Sequence, residues 1–334
     1  MSAKVTVLGA GSWGTAMAVM CAHKGPTTLW ARRPELSVAI NAAHRNADYL
    51  PELVMPDALR ATSSLTDAVE DADVVVVAVP SHGFRAVLAE AAPAMGAGVP
   101  VISVTKGVEQ GSLARMTEII ADVAPGHPHG VLTGPNLVAE IVAGHPTASV
   151  IATVETELSA RMQELFSTGA FRVYTNSDVV GCELGGALKN VAAIAAGIAD
   201  GLGFGDNTRA ALITRGVAEL TRLGVALGGR PLTFGGLTGM GDLVATCCSR
   251  QSRNRWVGEE LARGRPLAEI IAGTRMVAEG VRTSDAVVEL AARVGVEMPI
   301  AAQVVAILHG VTPPVEVVAA LMGRTMTSEL HGLS

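Results

Sequence analysis

The 334-residue sequence predicts an α/β fold: a doubly wound, parallel-stranded domain over residues 1–178, then an all-helical domain over 179–334. Three observations carry this. Apolar, strand-like runs alternate with helical patterns up to about residue 178, the arrangement that builds a parallel sheet covered on both faces. Beyond it the strand signals stop, and Ala/Leu/Val-rich helical stretches follow, broken by glycine-rich turns at 201–205 and 235–241. The length also exceeds what one hydrophobic core usually supports.

The first run, Lys-Val-Thr-Val-Leu at 4–8, suits a buried strand and leads straight into Gly9-Ala10-Gly11-Ser12-Trp13-Gly14. A helical pattern continues through 15–20. The glycines divide the work: a tight turn at Gly9, close approach of a pyrophosphate at Gly11, and strand–helix packing at Gly14. Amides at the helix start then face the phosphates with a favourable dipole. Gly-x-Gly-x-x-Gly alone is weak, but strand–turn–helix is the context that dinucleotide binding requires. The second strand ends at Thr27-Thr28-Leu29-Trp30-Ala31, where an NAD-selective site usually places an acid about 20 residues after the glycines. Here Arg32-Arg33 follow, and the first acid is Glu35. Paired guanidinium groups suit the 2′-phosphate of NADP(H); NAD(H) stays open, as does a merely solvated arginine pair.

Further strands are expected at 72–80, 99–104, 130–133, 148–152 and 171–174, with helices around 84–93 and 112–123. Ligands of such sheets bind beyond the carboxyl ends of the strands, which nominates residues 79–81, 105–107 and 134–136. In the helical half, Lys189 stands in an apolar stretch: from 181 to 199 the only charged side chains are Glu183 and Lys189. Burying an unpartnered ammonium is costly and usually lowers its pKa. No acid sits at helical spacing from it, so a partner must come from elsewhere in the fold or from a substrate. A snorkelling surface lysine is the bland alternative. Asp242 follows a glycine-rich turn at the start of a helix, and Thr246 lies four residues on, on the same face. Arg250, Arg253 and Arg255, interleaved with Ser252 and Asn254, offer donors for a phosphate or carboxylate; a helix cap and a solvated loop are the plain reading. Together these groups suggest hydride exchange on a small anionic substrate.

Composition narrows the class. Net charge is −6 and no basic stripe with interleaved aromatics appears, which argues against nucleic acid. No uncharged apolar run reaches the roughly 18 residues of a membrane span, and a first strand so near the start is read as leaving no room for a signal peptide. The four cysteines show no metal-binding spacing, fitting a reduced cytoplasm and no structural zinc. His127-Pro128-His129 reads as a solvated turn. A homodimer is expected from the large apolar helical half.

Several motifs resemble those of the NAD(P)-dependent glycerol-3-phosphate dehydrogenases, bacterial type. They are Gly-Ala-Gly-Ser-Trp-Gly-Thr-Ala (9–16), Tyr-Leu-Pro (49–51), Thr-Lys-Gly-Val-Glu (105–109), Gly-Ala-Leu-Lys-Asn-Val (186–191), residues 200–208, Gly-Asp-Leu (241–243), Gln-Ser-Arg-Asn-Arg (251–255) and Val-Ala-Glu-Gly (277–280). The resemblance runs in order from 5 to about 283. It implies a Rossmann-like domain, an all-helical domain of the 6-phosphogluconate-dehydrogenase-like type, and reversible reduction of dihydroxyacetone phosphate to sn-glycerol 3-phosphate for glycerophospholipid synthesis. By the same resemblance Lys189 is the proton donor and acceptor, Lys106 holds the substrate near the nicotinamide, and Asn190, Asp242 and Thr246 order the site. Ser252, Arg253 and Asn254 bind substrate, Arg253 gripping its phosphate and also lying near the cofactor. Ser12, Trp13, Arg33, Val277 and Glu279 line the cofactor, joined by Tyr49 and Val138. One departure follows Gly134-Pro135, where Asn136 replaces the small hydroxyl residue usual in the bacterial type, and Val138 replaces an alanine. Loss of Lys189 is expected to remove turnover and spare the fold. Two rivals remain: a dehydrogenase of a β-hydroxyacid or sugar acid, and a non-catalytic NADP-sensing module.

Overall fold

The computed structural model describes residues 2–273, 279–323, 326 and 328. The chain forms two compact units, one of residues up to 109 with 114–179, the other of residues 110–113 with those from 180 onward.

The first unit holds β1 (Val5–Leu8), α1 (Ser12–Ala22), β2 (Thr27–Trp30), α2 (Pro34–Ala43), β3 (Leu59–Thr62), α3 (Leu65–Val69), β4 (Val74–Val77), α4 (Ser81–Ala91), β5 (Val101–Ser103), α5 (Met116–Val123), β6 (His129–Thr133), α6 (Val138–Val142), β7 (Thr147–Thr153), α7 (Thr156–Phe166) and β8 (Phe171–Asn176). The strands make one eight-stranded sheet in the order β3-β2-β1-β4-β5-β6-β7-β8. Val74 and Val76 pack into the core on one face, with Met17 of α1 and Phe166 of α7. Val75 and Val77 pack into the other, with Phe84 and Leu88 of α4 and Ile119 of α5. Layers on both faces are why the strands read as unbroken apolar runs rather than alternating ones.

The sheet is not wholly parallel: β7 runs antiparallel to β6, pairing Gly130 with Thr153 and Thr133 with Val150. The link between them, residues 134–146, carries only one short helix. Five-residue α6 rises only about 7–8 Å at 1.5 Å per residue, and the chain turns back so that β7 pairs antiparallel. The edge strand β3 was not expected; its Leu-Arg-Ala-Thr alternates buried and outward positions. Residues 112–115 precede α5 rather than belonging to it. His129 opens β6 instead of lying in a turn, and His127 Nδ1 sits 2.8 Å from the Val99 carbonyl oxygen.

The second unit is helical among its described residues: α8 (Val179–Gly201), α9 (Asp206–Ala226), α10 (Pro231–Phe234), α11 (Asp242–Cys248), α12 (Arg253–Ala262), α13 (Leu267–Ala272), α14 (Glu279–Arg293), α15 (Pro299–Leu308) and α16 (Pro314–Met322). By length and composition α8 could cross a membrane, but almost its whole length from Gly181 to Ala199 is buried, as in a core helix. Its many small residues let neighbours approach backbone to backbone. A Cβ on Gly197 would lie 1.9 Å from the Arg255 carbonyl oxygen, and one on Gly258 would lie 2.1 Å from that of Ile194. Close contact of α12 with α8 therefore needs glycine from both partners.

Candidate active site

In the first unit the glycine loop joins β1 to α1. Gly9 takes φ +121°, and a Cβ at Gly14 would strike the Gly9 carbonyl oxygen at 1.9 Å. Both glycines are thus demanded by the protein itself. Gly11 differs, because a Cβ there would meet nothing within 4 Å. No internal packing explains that glycine, whereas a closely lying phosphate does. Ser12 and Trp13 stand half-buried in the first turn of α1, with the Trp13 ring 6.3 Å from that of Phe171.

The loop is braced by a residue the sequence reading did not single out. Asn46 is wholly buried and its side-chain amide donates to the Ala10 carbonyl and to Thr15 Oγ1, both at 2.9 Å. The only advance signal was its place three residues before Tyr-Leu-Pro. Arg32 and Arg33 are exposed just past β2, Arg33 being the N-cap residue of α2. The Arg33 guanidinium donates to Asp48, and that bond, ahead of other causes, holds its pKa above the ordinary range. Tyr49 is the next residue and adds to the same field.

Beyond the carboxyl ends of β5 and β6, Lys106 Nζ donates to the Gly134 carbonyl at 2.9 Å. Two predicted substrate residues are thereby brought together. Gly134 adopts φ +146°, closed to ordinary side chains. Next to it lie Thr133 Oγ1 and both amide atoms of Asn136, buried and without a hydrogen-bond partner among the described residues. Buried polar atoms are nearly always paired in a folded protein, so this group is suited to a polar ligand. Val138 begins α6, half-buried.

In the second unit, Lys189 is 5% exposed and Asp242 is 2% exposed. Lys189 Nζ lies 2.7 Å from Asp242 Oδ1 and also donates to Thr246 Oγ1. Thr246 Oγ1 in turn donates to the Asp242 carbonyl at 2.6 Å. Asp242 opens α11 but continues without a break from a helical turn at Leu237–Gly241, so much of the glycine-rich stretch expected as a turn is itself helical and Asp242 lies within a continuous helix. The partner that burial demanded therefore comes from another helix, as the absence of an acid at helical spacing from Lys189 on α8 required. Asn190 is bound across the α8–α12 contact: Asn254 Nδ2 donates to Asn190 Oδ1 at 2.9 Å, and Gly280 N donates to Asn254 Oδ1 at 3.0 Å.

The arginine cluster separates by role. Arg255 is committed to Asp200 and Glu259, at 2.7 and 2.8 Å. Ser252 Oγ accepts from Arg255 N at 3.3 Å and so caps α12. Arg253, the first residue of α12, makes no hydrogen bond or ion pair among the described residues. Its pKa is lowered chiefly by desolvation, with Glu279 pulling the other way. An uncommitted guanidinium at a helix start is well suited to a phosphate. Glu279 is half-buried at the start of α14; Val277 lies outside the described residues.

Two family models match the chain. The NAD-dependent glycerol-3-phosphate dehydrogenase N-terminus covers residues 4–159, and the C-terminus of the same family covers 178–319. A glycerol-3-phosphate dehydrogenase (NAD(P)+) of Sphingopyxis alaskensis is 55% identical, with 99% of each chain aligned. One of Mycobacterium avium is 49% identical over 98% of this chain and 97% of its own. Among solved structures, glycerol-3-phosphate dehydrogenase from Coxiella burnetii superposes with a TM-score of 0.92 at 38% identity, over 97% of this chain and 99% of that one.

Proposed function

Because this chain belongs to the NAD-dependent glycerol-3-phosphate dehydrogenase family, an oxidoreductase family, we propose that Lys189 is its general acid and base in the reversible reduction of dihydroxyacetone phosphate to sn-glycerol 3-phosphate. The observation that carries the reading is the buried Lys189–Asp242–Thr246 cluster, with Nζ 2.7 Å from the carboxylate. Such a cluster fixes one ammonium in one direction, as proton transfer in a transition state requires.

NAD(P) suits the first unit, on the open space at Gly11, the braced glycine loop and the arginines past β2. When bound, the nicotinamide supplies the hydride that reaches the substrate carbonyl carbon. The Lys189 ammonium gives a proton to the oxygen as its negative charge develops; in the oxidation direction the neutral amine takes it back. Asp242 balances the charge on Nζ, and Thr246 fixes its direction. Lys106 and the unpaired atoms of Thr133 and Asn136 hold the polar end of the substrate. Arg253 grips its phosphate, aided by Ser252 and the Asn254–Asn190 pair. Tyr49, Val138, Val277 and Glu279 complete the cofactor contacts. NADP(H) is the preferred cofactor on the strength of Arg33, with NAD(H) also used.

We place the reaction in the cytoplasm, where four cysteines outside any disulfide fit a reducing environment, and upstream of glycerophospholipid synthesis. The working assembly on this reading is a homodimer. Nicotinamide absorbance tests the reading: oxidation of NADPH with dihydroxyacetone phosphate, and none with 3-oxo acids, is the expected result. Turnover of the oxo acids instead would transfer the assignment to a hydroxyacid dehydrogenase.

A further inference from the structure

The acid missing after β2 has a substitute from another part of the chain. Asp48 lies between α2 and β3, and its carboxylate accepts from the Arg33 guanidinium. Its position is fixed by three restraints. Asn46 is pinned to the glycine loop through Ala10 and Thr15. Tyr49 N and Leu50 N donate to the Asn46 carbonyl at 3.2 and 2.8 Å. Met55 N closes the segment onto the His44 carbonyl at 2.9 Å. Asp48 is therefore held in register with the phosphate loop and at the strand end where a dinucleotide's adenosine ribose is read. The two side chains are 47% and 41% exposed, so a ligand can reach both.

We propose that Asp48 is a specificity-determining residue that, opposite Arg33, lets one site accept both NADP(H) and NAD(H). The proposal rests on the reading that Arg33 meets the 2′ position of the adenosine ribose. A carboxylate accepts hydrogen bonds from the free 2′- and 3′-hydroxyls of NAD(H), the part an acid usually plays at this place. Toward NADP(H) it acts in reverse. It neutralises the guanidinium that a 2′-phosphate needs and adds like-charge repulsion. The arginine favours one cofactor, the acid favours the other, and their mutual pairing keeps either preference from becoming absolute. No acid within 20 residues of the glycines would have revealed this, because Asp48 arrives through the fold.

The test is kcat/KM for NADPH and for NADH in the wild type, Asp48→Asn, Asp48→Ser and Arg33→Ala, at low and high ionic strength. Removing the carboxylate should raise the NADPH-over-NADH ratio by about two- to fivefold, since an exposed charge pair contributes up to about a factor of five. Gain for NADPH should accompany loss for NADH, and the change should shrink as salt screens the charges. Asp48→Ser removes the same charge and stands in if the Asn variant folds poorly. An unchanged ratio in a folded Asp48 variant, beside an Arg33→Ala that selectively harms NADPH, overturns the proposal and leaves the reading of Arg33 intact. An Arg33→Ala that harms both cofactors equally overturns that reading, and the proposal with it.

Discussion

Lys189 and Asp242 form an ion pair of 2.7 Å in which neither side chain is more than 6% exposed. The pair ties chemistry to stability, because removing one partner strands the other's charge in a poor solvent. Lys189 was expected to be dispensable for folding; the buried Asp242 changes that. Lys189→Met and Asp242→Asn should each destabilise the protein by about 3–5 kcal/mol, and the double variant should recover much of the loss. Turnover should not recover. Both Lys189 variants should lose about 10²-fold or more in kcat. Denaturant melts alongside steady-state kinetics check both statements, and an active Lys189→Met protein would falsify the acid–base role.

Arg253 should matter only for substrates with a phosphate. Arg253→Ala is expected to lower kcat/KM for dihydroxyacetone phosphate by about 1.5–3 kcal/mol, the range for a hydrogen bond to a charged group. Dihydroxyacetone should be a poor substrate for both proteins, with little further loss in the variant. Equal penalties on the two ketones would show that Arg253 does not read the phosphate.

Asn46 provides a contrast with Asp48. Asn46→Ala removes two donated bonds to the glycine loop, which serves either cofactor. KM for NADPH and NADH should rise together, by about 1–3 kcal/mol, and their ratio should stay fixed. A change in the ratio would place Asn46 at the ribose rather than behind the loop.

Glu219 on α9 predicts a pH dependence of stability. Burial pushes its carboxyl from 4.5 up to about 7, partly opposed by bonds from Ile300 N and Ala301 N and by Arg222 and Arg215. The folded protein thus holds this proton more tightly than the unfolded chain does. Its contribution is complete below pH 4.5 and is lost as pH rises through about 7. The full span is about 3 kcal/mol. Glu219→Gln keeps an acceptor for Ile300 and should flatten the wild-type loss between those limits in a series of urea melts. Identical pH profiles for the two proteins would refute the assignment.

What could be read from the sequence was what is encoded locally. The glycine loop is a contiguous strand–turn–helix, and Lys189 stands out because its neighbours are apolar. Asp242 and Thr246 follow from their four-residue helical spacing, although the helix starts earlier, at Leu237, than the glycine-rich stretch suggested. The direction of β7 was hidden because a strand's own residues do not encode its direction. Asn46 and Asp48 lie in an irregular segment without periodicity, and their partners are 15 or more residues away. Glu219 shares α9 with Arg209, Arg215 and Arg222, a pattern that reads as a solvated face although the carboxylate is buried.

At positions 197 and 258 evolution has no atoms left to remove. Each residue already presents bare backbone to the opposing helix, so any substitution can only wedge α8 and α12 apart. The spacing between the segments that carry Asn190 and Asn254 is consequently a floor that drift can raise but never lower. Enlargement at either position would strike the opposing backbone, at 1.9 or 2.1 Å, before it could widen the site. A tighter site must be sought in residues that still have side chains to trim.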